Sequence, residues 1–270
     1  METGAWPLLQ APRQWRSVDF ISDVHLQAGQ EPTLRAWQDF MQRTRADAVF
    51  ILGDLFDVWI GDDVIGPTLQ ESTPAPGFEA RCAQVLQAAS RRLDIFLLHG
   101  NRDFLLGGAF AQTGGLTLLQ DPSVLEFAGQ RWLLSHGDAL CLNDAAYLQF
   151  RLMVRSAPWQ QEFLARPLEQ RRQIAHELRT QSEARKQSSV PCADLDEPAC
   201  CRWLRSAQAT TLIHGHTHQP GDHALPEGLR RLVLSDWDLG ATPARASVLR
   251  LSAAPTGAGA SVQRLAAALA

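Results

Sequence analysis

The chain has 270 residues, 45% of them hydrophobic, and is therefore long enough to bury one sizeable core with a smaller unit beside it. Its net charge of −4 at pH 7 provides no overall attraction for nucleic acid, so we expect no nucleic-acid partner. The chain contains no apolar run of the roughly 20 residues that a membrane span needs, and its N-terminal residues lack the pattern of a signal peptide, which predicts a cytoplasmic protein.

Short apolar runs with the length of β-strands recur through the chain, and polar residues follow each of them directly. An extension, 1–16, rich in Pro, Gln and Trp, is expected to be irregular. The strand-like runs are residues 18–22, 48–52, 95–98, 131–135 and 210–213. Helical patterns lie between them, for example at 32–44 and 78–92. Strands that alternate with helices predict a layered α/β fold.

Residues 143–206 break this alternation. They are rich in Arg, Leu, Gln and Ala, with Pro158, Pro167 and Pro191 as breaks, and show no strand pattern. We predict a helical cap insertion there, between two segments of one core, 17–142 and 207–251. The tail, 252–270, is rich in Ala and Gly, so we expect a frayed helix or disorder.

Each strand-like run ends in residues that can bind a metal. The motifs are DxH (23–25), GDxxD (53–57), GNRD (100–103), HGD (136–138) and GHTH (215–218). Residues two apart in an extended segment point the same way, so Asp23 and His25 can share one ion. Glycine beside a ligand lets the backbone approach closely, and the carboxyl ends of strands form the ligand crevice of α/β sheets. One such residue could be structural, but five strand ends with Asp, Asn and His predict a metal centre.

In this order the motifs resemble those of the calcineurin-like metallophosphoesterases, over about residues 18–220. The resemblance implies a four-layer αββα sandwich that holds two metal ions. It implies that Asp23, His25, Asp54 and His218 bind one metal. The second metal is implied to be bound by Asp54, Asn101, His136 and His216, with Asp54 bridging the two.

The chemistry of such a centre suits a phosphate substrate. Two metals about 3.5–4 Å apart lower the pKa of water and hold the phosphoryl oxygens during in-line attack. Only Asp23 and Asp54 among the implied ligands are anionic, so two divalent ions leave a positive site. Mixed imidazole, carboxylate and amide ligands suit Mn²⁺, Fe²⁺ or Zn²⁺ better than Mg²⁺. We expect two Mn²⁺ per chain, with Fe²⁺ and Zn²⁺ as alternatives.

Arg102 narrows the class of reaction that the centre is expected to catalyse. Many phosphomonoesterases of this superfamily carry His after the Asn, where it can protonate a leaving group. Arginine cannot give up a proton at working pH, but its guanidinium can hold phosphate oxygens. This favours a leaving group that is already stable, such as the phosphate released from a pyrophosphate. We expect Asp54, Asn101 and Arg102 to act in catalysis; a surface ion pair of Arg102 with Asp103 is the structural alternative.

Longer strings resemble the UDP-2,3-diacylglucosamine pyrophosphatases of lipid A synthesis. They are ILGDLFD (51–57), WIGDD (59–63), HGNRDFLLG (99–107) and LIHGHTH (212–218). The resemblance implies hydrolysis of UDP-2,3-diacylglucosamine to UMP and 2,3-diacylglucosamine 1-phosphate by attack of water on the α-phosphorus. The alternatives are another phosphodiesterase or nucleotide pyrophosphatase of this fold and a non-catalytic scaffold, which would not need all seven metal ligands.

The insertion suits such a substrate, because two acyl chains need an apolar chamber beside a polar phosphate site. Apolar side chains at 147–164 could line that chamber or could simply pack on one another. The resemblance implies that the substrate is bound by Asn101, Arg102, Asp144, Tyr147, Arg179, Ser182, Lys186 and His216. Lys186 stands where many relatives have Asn.

Residues 151–186 hold eight Arg or Lys against four Glu. This surplus of positive charge favours anionic lipid of the inner leaflet, although a solvated helix face explains it almost as well. We therefore expect a monomer that associates peripherally with the cytoplasmic face of the inner membrane.

Overall fold

A computed structural model describes residues 6–66, 76–187, 194–255 and 259–269, without the side chains of 181–187 and 269. Within these ranges the strands are β1 (Leu8–Gln10), β2 (Ser17–Ile21), β3 (Ala48–Leu52), β4 (Asp94–Leu98), β5 (Thr117–Leu119), β6 (Ser123–Phe127), β7 (Gln130–Ser135), β8 (Thr211–His214), β9 (Gly221–Ala224), β10 (Arg230–Val233), β11 (Ser247–Ala253) and β12 (Ala260–Ala266). The helices are α1 (Glu31–Arg43), α2 (Phe78–Ser90), α3 (Gly108–Gly114), α4 (Ala145–Val154), α5 (Ala157–Leu164), α6 (Leu168–Gln187) and α7 (Glu197–Ala207).

The strands form two six-stranded sheets. The first has the order β12-β11-β2-β3-β4-β5 and the second the order β1-β6-β7-β8-β10-β9. Strands β2 to β5 run parallel to one another, as do β7, β8 and β10, so their carboxyl ends lie along one edge of each sheet. The five strands that precede the metal-binding motifs are β2, β3, β4, β7 and β8, each within one residue of its predicted bounds.

Alternating side chains along the strands fill separate cores. In β3, Val49 packs towards α1, α2 and α3, whereas Phe50 packs between the two sheets. A third apolar cluster joins the outer face of the second sheet to α7, where Leu133 and Leu204 are fully buried. The order of layers is therefore helix, sheet, sheet, helix, which confirms the predicted αββα sandwich.

Helix α1 shows how the outer layer is attached. Leu34, Trp37 and Met41 recur at helical spacing and are buried, and each such side chain contributes about 2 kcal/mol on leaving water. The helix ends where Thr44 leaves the helical conformation, and the Thr44 hydroxyl donates to Asp19 at 2.6 Å. The periodicity and its end were both visible in the sequence.

The predicted insertion, 143–206, contains α4, α5, α6 and α7 in its described part. Helices α4 to α6, called the cap helices below, lie towards the first sheet, where Phe163 joins the cluster of α1 to α3. Helix α7 differs, because it buries Cys200, Cys201 and Leu204 against the second sheet and so forms the fourth layer of the core. Its apolar spacing resembles that of any amphipathic helix, and only the packing assigns it to the core.

Both ends of the chain differ from the prediction. The extension, 1–16, expected to be irregular, contains β1, which pairs in parallel with β6. The tail, 252–270, expected to be a frayed helix or disordered, contains β12, which pairs antiparallel with β11 from Ala260 to Ala266. Both are edge strands, held by backbone hydrogen bonds and by a few partly buried apolar side chains such as Leu9 and Val262, which are too sparse a pattern to predict a strand. Among the described residues, the helices are too short or too polar to cross a bilayer.

Candidate metal centre

The seven predicted metal ligands lie together at the carboxyl ends of five strands. Asp23 and His25 follow β2, Asp54 follows β3, Asn101 follows β4, His136 follows β7, and His216 and His218 follow β8. Two groups of three residues each have their ligand atoms within 4.8 Å of one another. One group is Asp23, His25 and His218, and the other is Asp23, Asp54 and His136. Their donor atoms are those of a site for divalent cations.

On one side of the centre, imidazoles of the β2 and β8 ends meet. Nε2 of His25 lies 3.3 Å from Nε2 of His218, which in turn lies 3.3 Å from Oδ1 of Asp23. Oδ1 of Asp23 and Nδ1 of His25 are buried and have no hydrogen-bond partner among the described residues. Buried polar atoms normally have a partner, and a divalent cation is the partner that would satisfy this set.

On the other side, acceptor atoms converge in the same way. Nδ1 of His136 donates to the carbonyl of Leu52 at 2.9 Å, which directs Nε2 towards the centre. Nε2 of His136 lies 2.9 Å from Oδ1 of Asn101, which is also 2.9 Å from Nδ1 of His216. An amide oxygen that faces ring nitrogens fits a second cation.

Asp54 lies between the two sides. Its Oδ1 accepts a hydrogen bond from the backbone N–H of Arg102 at 2.8 Å. Its Oδ2 lies 3.7 Å from Nε2 of His136 and 4.0 Å from Nδ1 of His25. The backbone thus fixes one oxygen and leaves the other facing both groups, as a bridging carboxylate would be.

Burial and charge set the pKa values of these groups. Burial raises the pKa of Asp54 to about 7 and lowers the pKa of His25 to about 3 and of His216 to about 4. Burial also opposes ionisation of His136, but Asp54 and Asp23 outweigh it and raise the pKa of His136 to about 9. Asp23 keeps a lowered pKa because nearby imidazoles outweigh the effect of its burial. Two carboxyl groups and three imidazoles are thus buried together, and a bound cation would stabilise the carboxylates in their ionised form.

Five of the seven residues have a left-handed backbone. They are Asp23, His25, Asp54, His216 and His218, with φ between 50° and 69°. For a residue other than glycine this conformation costs on the order of 1–3 kcal/mol and persists only where the surroundings enforce it. The predicted reason for their convergence, alternation along extended strands, is therefore wrong for Asp23 and His25, which meet through left-handed turns beyond β2.

Two glycines make the crowding possible, as the sequence predicted. A Cβ at Gly100 would lie 2.0 Å from Oδ1 of Asp54, and a Cβ at Gly215 would lie 2.3 Å from Oδ2 of Asp23. Asp103 fixes the same loops, since it accepts from the backbone N–H of Gly100 and of Leu55, both at 2.8 Å. Asp103 is fully buried in this role, so it is no surface partner for Arg102.

Arg102 instead pairs with Asp57. Its Nη1 lies 3.7 Å from Oδ1 of Asp57, and Nη1 of Arg179, from α6, contacts Oδ2 of the same carboxylate. In the sequence, Asp57 stands out only as the last residue of GDxxD. Its contact with Arg179 joins the metal-binding loops to the cap helices.

The predicted substrate-binding residues of the insertion are partly brought to the centre. The Tyr147 hydroxyl donates to Asp138 at 2.6 Å, and its ring stacks on His216 at 6.2 Å. Asp144 is exposed and caps α4 by accepting from the backbone N–H of Tyr147 at 2.9 Å. The side chains of Ser182 and Lys186 lie outside the described residues.

Sequence reasoning missed several supporting groups. Asp138 is fully buried and accepts from Arg151 at 2.8 Å as well as from Tyr147. Its place in the HGD motif was the available signal. Asp236 lies 3.7 Å from Nδ1 of His218 and pairs with Arg245 at 2.8 Å. No motif contains Asp236, so the sequence offered no signal for it.

A cavity of ≈ 250 Å³ opens between α6 and the segment after β3. Its apolar wall includes Leu26, Phe56, Val58, Trp59 and Val64, and its polar lining includes Asp57, Arg172, His176 and Arg179. The residues at 147–164 proposed for a chamber do not line this cavity: Phe163 is buried in the core cluster, and Leu152 is 71% exposed. Its apolar wall is supplied mainly by core segments, and α6 contributes Arg172, His176 and Arg179 to its polar lining.

A family model of calcineurin-like phosphoesterases matches residues 16–220, about three quarters of the chain. The chain belongs to the calcineurin-like phosphoesterase family. A UDP-2,3-diacylglucosamine hydrolase from Chromobacterium violaceum is 44% identical over 82% of this chain and 90% of its own length. Proteins of the same name from Ralstonia nicotianae and Pseudomonas aeruginosa are 43% identical (87% of this chain, 88% of theirs) and 42% identical (82% and 91%).

Membership of the calcineurin-like phosphoesterases makes this chain a metal-dependent hydrolase with a dinuclear metal site. The described residues fit that site on their own evidence. Unpartnered buried atoms at Asp23 and His25, and the amide oxygen of Asn101 between two imidazoles, are the places where cations would be bound.

Proposed function

We propose that this chain hydrolyses the pyrophosphate of UDP-2,3-diacylglucosamine, by attack of water on the α-phosphorus, to give UMP and 2,3-diacylglucosamine 1-phosphate, a step of lipid A biosynthesis. The observation that carries this proposal is the position of Arg102. It directly follows Asn101 of the metal centre and pairs with Asp57, which lines the apolar cavity. The names of relatives at 42–44% identity support the same substrate.

The metal ligands are proposed as follows. Asp23, His25, Asp54 and His218 hold one ion and Asp54, Asn101, His136 and His216 hold the other, with Mn²⁺ expected in both places and Fe²⁺ or Zn²⁺ as alternatives. When bound, two such ions lower the pKa of water and act as Lewis acids on the phosphoryl oxygens. The backbone N–H of Arg102 orients the bridging Asp54, and the carbonyl of Leu52 orients His136.

The side chain of Arg102 acts on the leaving group. It is 17% exposed, so it is largely desolvated, and it remains charged at any working pH. A guanidinium there neutralises the charge of the departing sugar phosphate without having to supply a proton. An anhydride meets this requirement better than an alkyl monoester, because its leaving group is already a stable anion.

The rest of the substrate is assigned to the cap helices and the cavity. We assign contacts with the glucosamine phosphate to Asn101, Arg102, Asp144, Tyr147, Arg179, Ser182, Lys186 and His216. Stacking of Tyr147 on His216 supports this for the centre, and the contact of Arg179 with Asp57 supports it for α6. The apolar wall formed by Leu26, Phe56 and Trp59 is the proposed site for acyl-chain carbons.

Membrane association is proposed from the outer side of the cap helices. Leu152, Met153 and Leu164 are 71%, 49% and 41% exposed, on helices that also carry the surplus of arginine. Exposed apolar side chains beside cations suit an anionic lipid surface. We therefore propose a monomer that binds peripherally to the cytoplasmic face of the inner membrane, where the acylated substrate lies.

Release of UMP tests the proposed substrate. Purified chain with Mn²⁺ is incubated separately with UDP-2,3-diacylglucosamine and with UDP-N-acetylglucosamine, which lacks the long acyl chains. We expect kcat/KM to be at least roughly 100-fold higher for the diacyl substrate, since each buried methylene contributes about 0.8 kcal/mol. Equal turnover of the two would refute the acyl-chain cavity, and a preference for cyclic nucleotides would point to another phosphodiesterase.

A further inference from the structure

We infer that Asp57 is a positioning residue that holds Arg102 of the core and Arg179 of α6 side by side, so that both guanidiniums grip the same phosphate group of the substrate. This inference rests on the proposed function. It adds a residue outside the set of metal ligands and substrate contacts, and it gives the cap helices a defined connection to the reacting bond.

The contacts of Asp57 define this arrangement. Its two carboxylate oxygens are divided between the arginines, with Oδ1 3.7 Å from Nη1 of Arg102 and Oδ2 in contact with Nη1 of Arg179. Its backbone N–H donates to the carbonyl of Leu26 at 3.1 Å, which attaches it to the loop that carries His25. Asp57 is therefore fixed relative to the metal centre and can transmit that position to both arginines.

Burial explains why the carboxylate can perform this role. Asp57 is 5% exposed, and an ionised carboxylate at such a position is costly unless cations pair with it. The side chains of Arg102 and Arg179 are 17% and 28% exposed, so part of each side chain stays accessible. Two arginines against one carboxylate leave a net positive charge, and each guanidinium has donors beyond those that Asp57 can accept. Guanidiniums paired in this way are suited to phosphate oxygens.

A second ion pair provides a control that distinguishes positioning of the arginines by Asp57 from simple attachment of α6 to the core. Arg171 of α6 donates to the carbonyl of Ile60 at 2.6 Å and to Asp63 at 2.9 Å. It lies eight residues before Arg179, about 12 Å along the helix, and it joins α6 to the same core segment. If Asp57 only attached α6 to the core, loss of Asp63 would have a similar effect on catalysis.

The experiment compares Asp57→Asn, the conservative Asp57→Glu and the matched control Asp63→Asn in the full chain loaded with Mn²⁺. Both kcat and KM are measured for UDP-2,3-diacylglucosamine, together with bound Mn²⁺ and the melting temperature. We expect Asp57→Asn to lower kcat/KM by about 30-fold, through KM as well as kcat, with unchanged Mn²⁺ content. Asp57→Glu should restore most of the loss, and Asp63→Asn should stay within about 3-fold of the wild type.

Two outcomes would overturn the inference. One is an Asp57→Asn variant within about 3-fold of the wild type, and the other is an equal loss in Asp63→Asn, which would reduce Asp57 to an attachment point. The simple diester bis(4-nitrophenyl) phosphate identifies failure of the proposed function instead. If the wild type cleaves only this diester, the proposed substrate is wrong. The three variants are then compared on the diester, and an unchanged KM in Asp57→Asn would reject the positioning role there too.

Discussion

Nε2 of His25 and Nε2 of His218 face each other across 3.3 Å, although the two residues are 193 positions apart in the chain. Burial lowers the pKa of His25 to about 3, so its ring is neutral at working pH, and its Nδ1 is buried without a hydrogen-bond partner among the described residues. The fold thus brings together imidazoles whose best common partner is a cation.

Loss of a bridging or buried ligand should abolish hydrolysis without unfolding the chain. We expect Asp54→Ala and His136→Ala each to lower kcat by about 1,000-fold or more, because two-metal catalysis supplies several kcal/mol of transition-state stabilisation. UMP release and circular dichroism measure the two effects. His223→Ala, on edge strand β9 and outside the metal-binding motifs, is the matched control. Full activity in either ligand variant would contradict the dinuclear assignment.

Removal of the metals should lower thermal stability. Five proposed ligands have left-handed backbones, and a cation that binds only the folded state offsets part of that cost. Mn²⁺ at 100 times its Kd contributes about 2.7 kcal/mol, which corresponds to a Tm shift of roughly 5–10 °C for a chain of this size. We expect a chelator to lower Tm by that amount and added Mn²⁺ to restore it in a calorimetric scan. An unchanged Tm would argue against metal binding at this centre.

Arg102→Lys should show whether the positive charge of Arg102 or the planar shape of its guanidinium matters for catalysis. The ammonium keeps the positive charge but loses the planar fork, so we expect kcat for UDP-2,3-diacylglucosamine to fall by roughly 10- to 100-fold. Arg35→Lys is the control, because Arg35 is 77% exposed and pairs only loosely with Glu31 at 3.8 Å. Steady-state kinetics of both variants measure the change in kcat. A fully active Arg102→Lys variant would show that charge alone is sufficient.

Asp138→Asn should destabilise the fold. The buried carboxylate accepts from the Tyr147 hydroxyl and from Nε of Arg151, and removing its charge leaves Arg151 without its main partner. We expect a loss of about 3 kcal/mol in the free energy of unfolding, measured by urea denaturation. Asp222→Asn breaks a largely exposed pair with Arg264 and should change it by less than about 1 kcal/mol. Equal effects of the two would remove the special role of Asp138.

The stability difference between the wild type and Asp138→Asn should depend on pH. Burial opposes ionisation of Asp138, but His136, Arg151 and Arg155 outweigh it, so its pKa in the folded state lies below the usual 3.8. Because the pKa of this carboxyl is lower in the folded than in the unfolded state, its ionisation stabilises the fold at pH values above the unfolded pKa. This stabilisation is lost as the pH falls towards the folded pKa. The difference in unfolding free energy between wild type and Asp138→Asn should be constant from pH 7 to 5 and should narrow below about pH 4. A difference that widens in acid would reverse the assigned direction.

Local pattern was sufficient for much of the fold. The apolar runs that became β2, β3, β4, β7 and β8 end in polar residues, and a buried parallel strand needs just such a run, so their bounds were predicted within one residue. The same strand ends predicted the convergence of the seven proposed metal ligands, because parallel strands direct their carboxyl ends to one edge. Edge strand β12 was missed, since backbone pairing with β11 holds it and its few apolar residues, such as Val262, form too weak a pattern.

What the sequence determined by itself is therefore the layered α/β fold, the residues at the candidate metal centre and Arg102 beside them. Tertiary structure alone decided how these residues are held. Contacts between distant segments hold the left-handed turns at Asp23 and His25. Such contacts also bring Arg102 and Arg179 to the two carboxylate oxygens of Asp57. Apolar periodicity and motif spacing report neighbours along the chain, whereas the position of a side chain in a site depends on partners that only folding brings near.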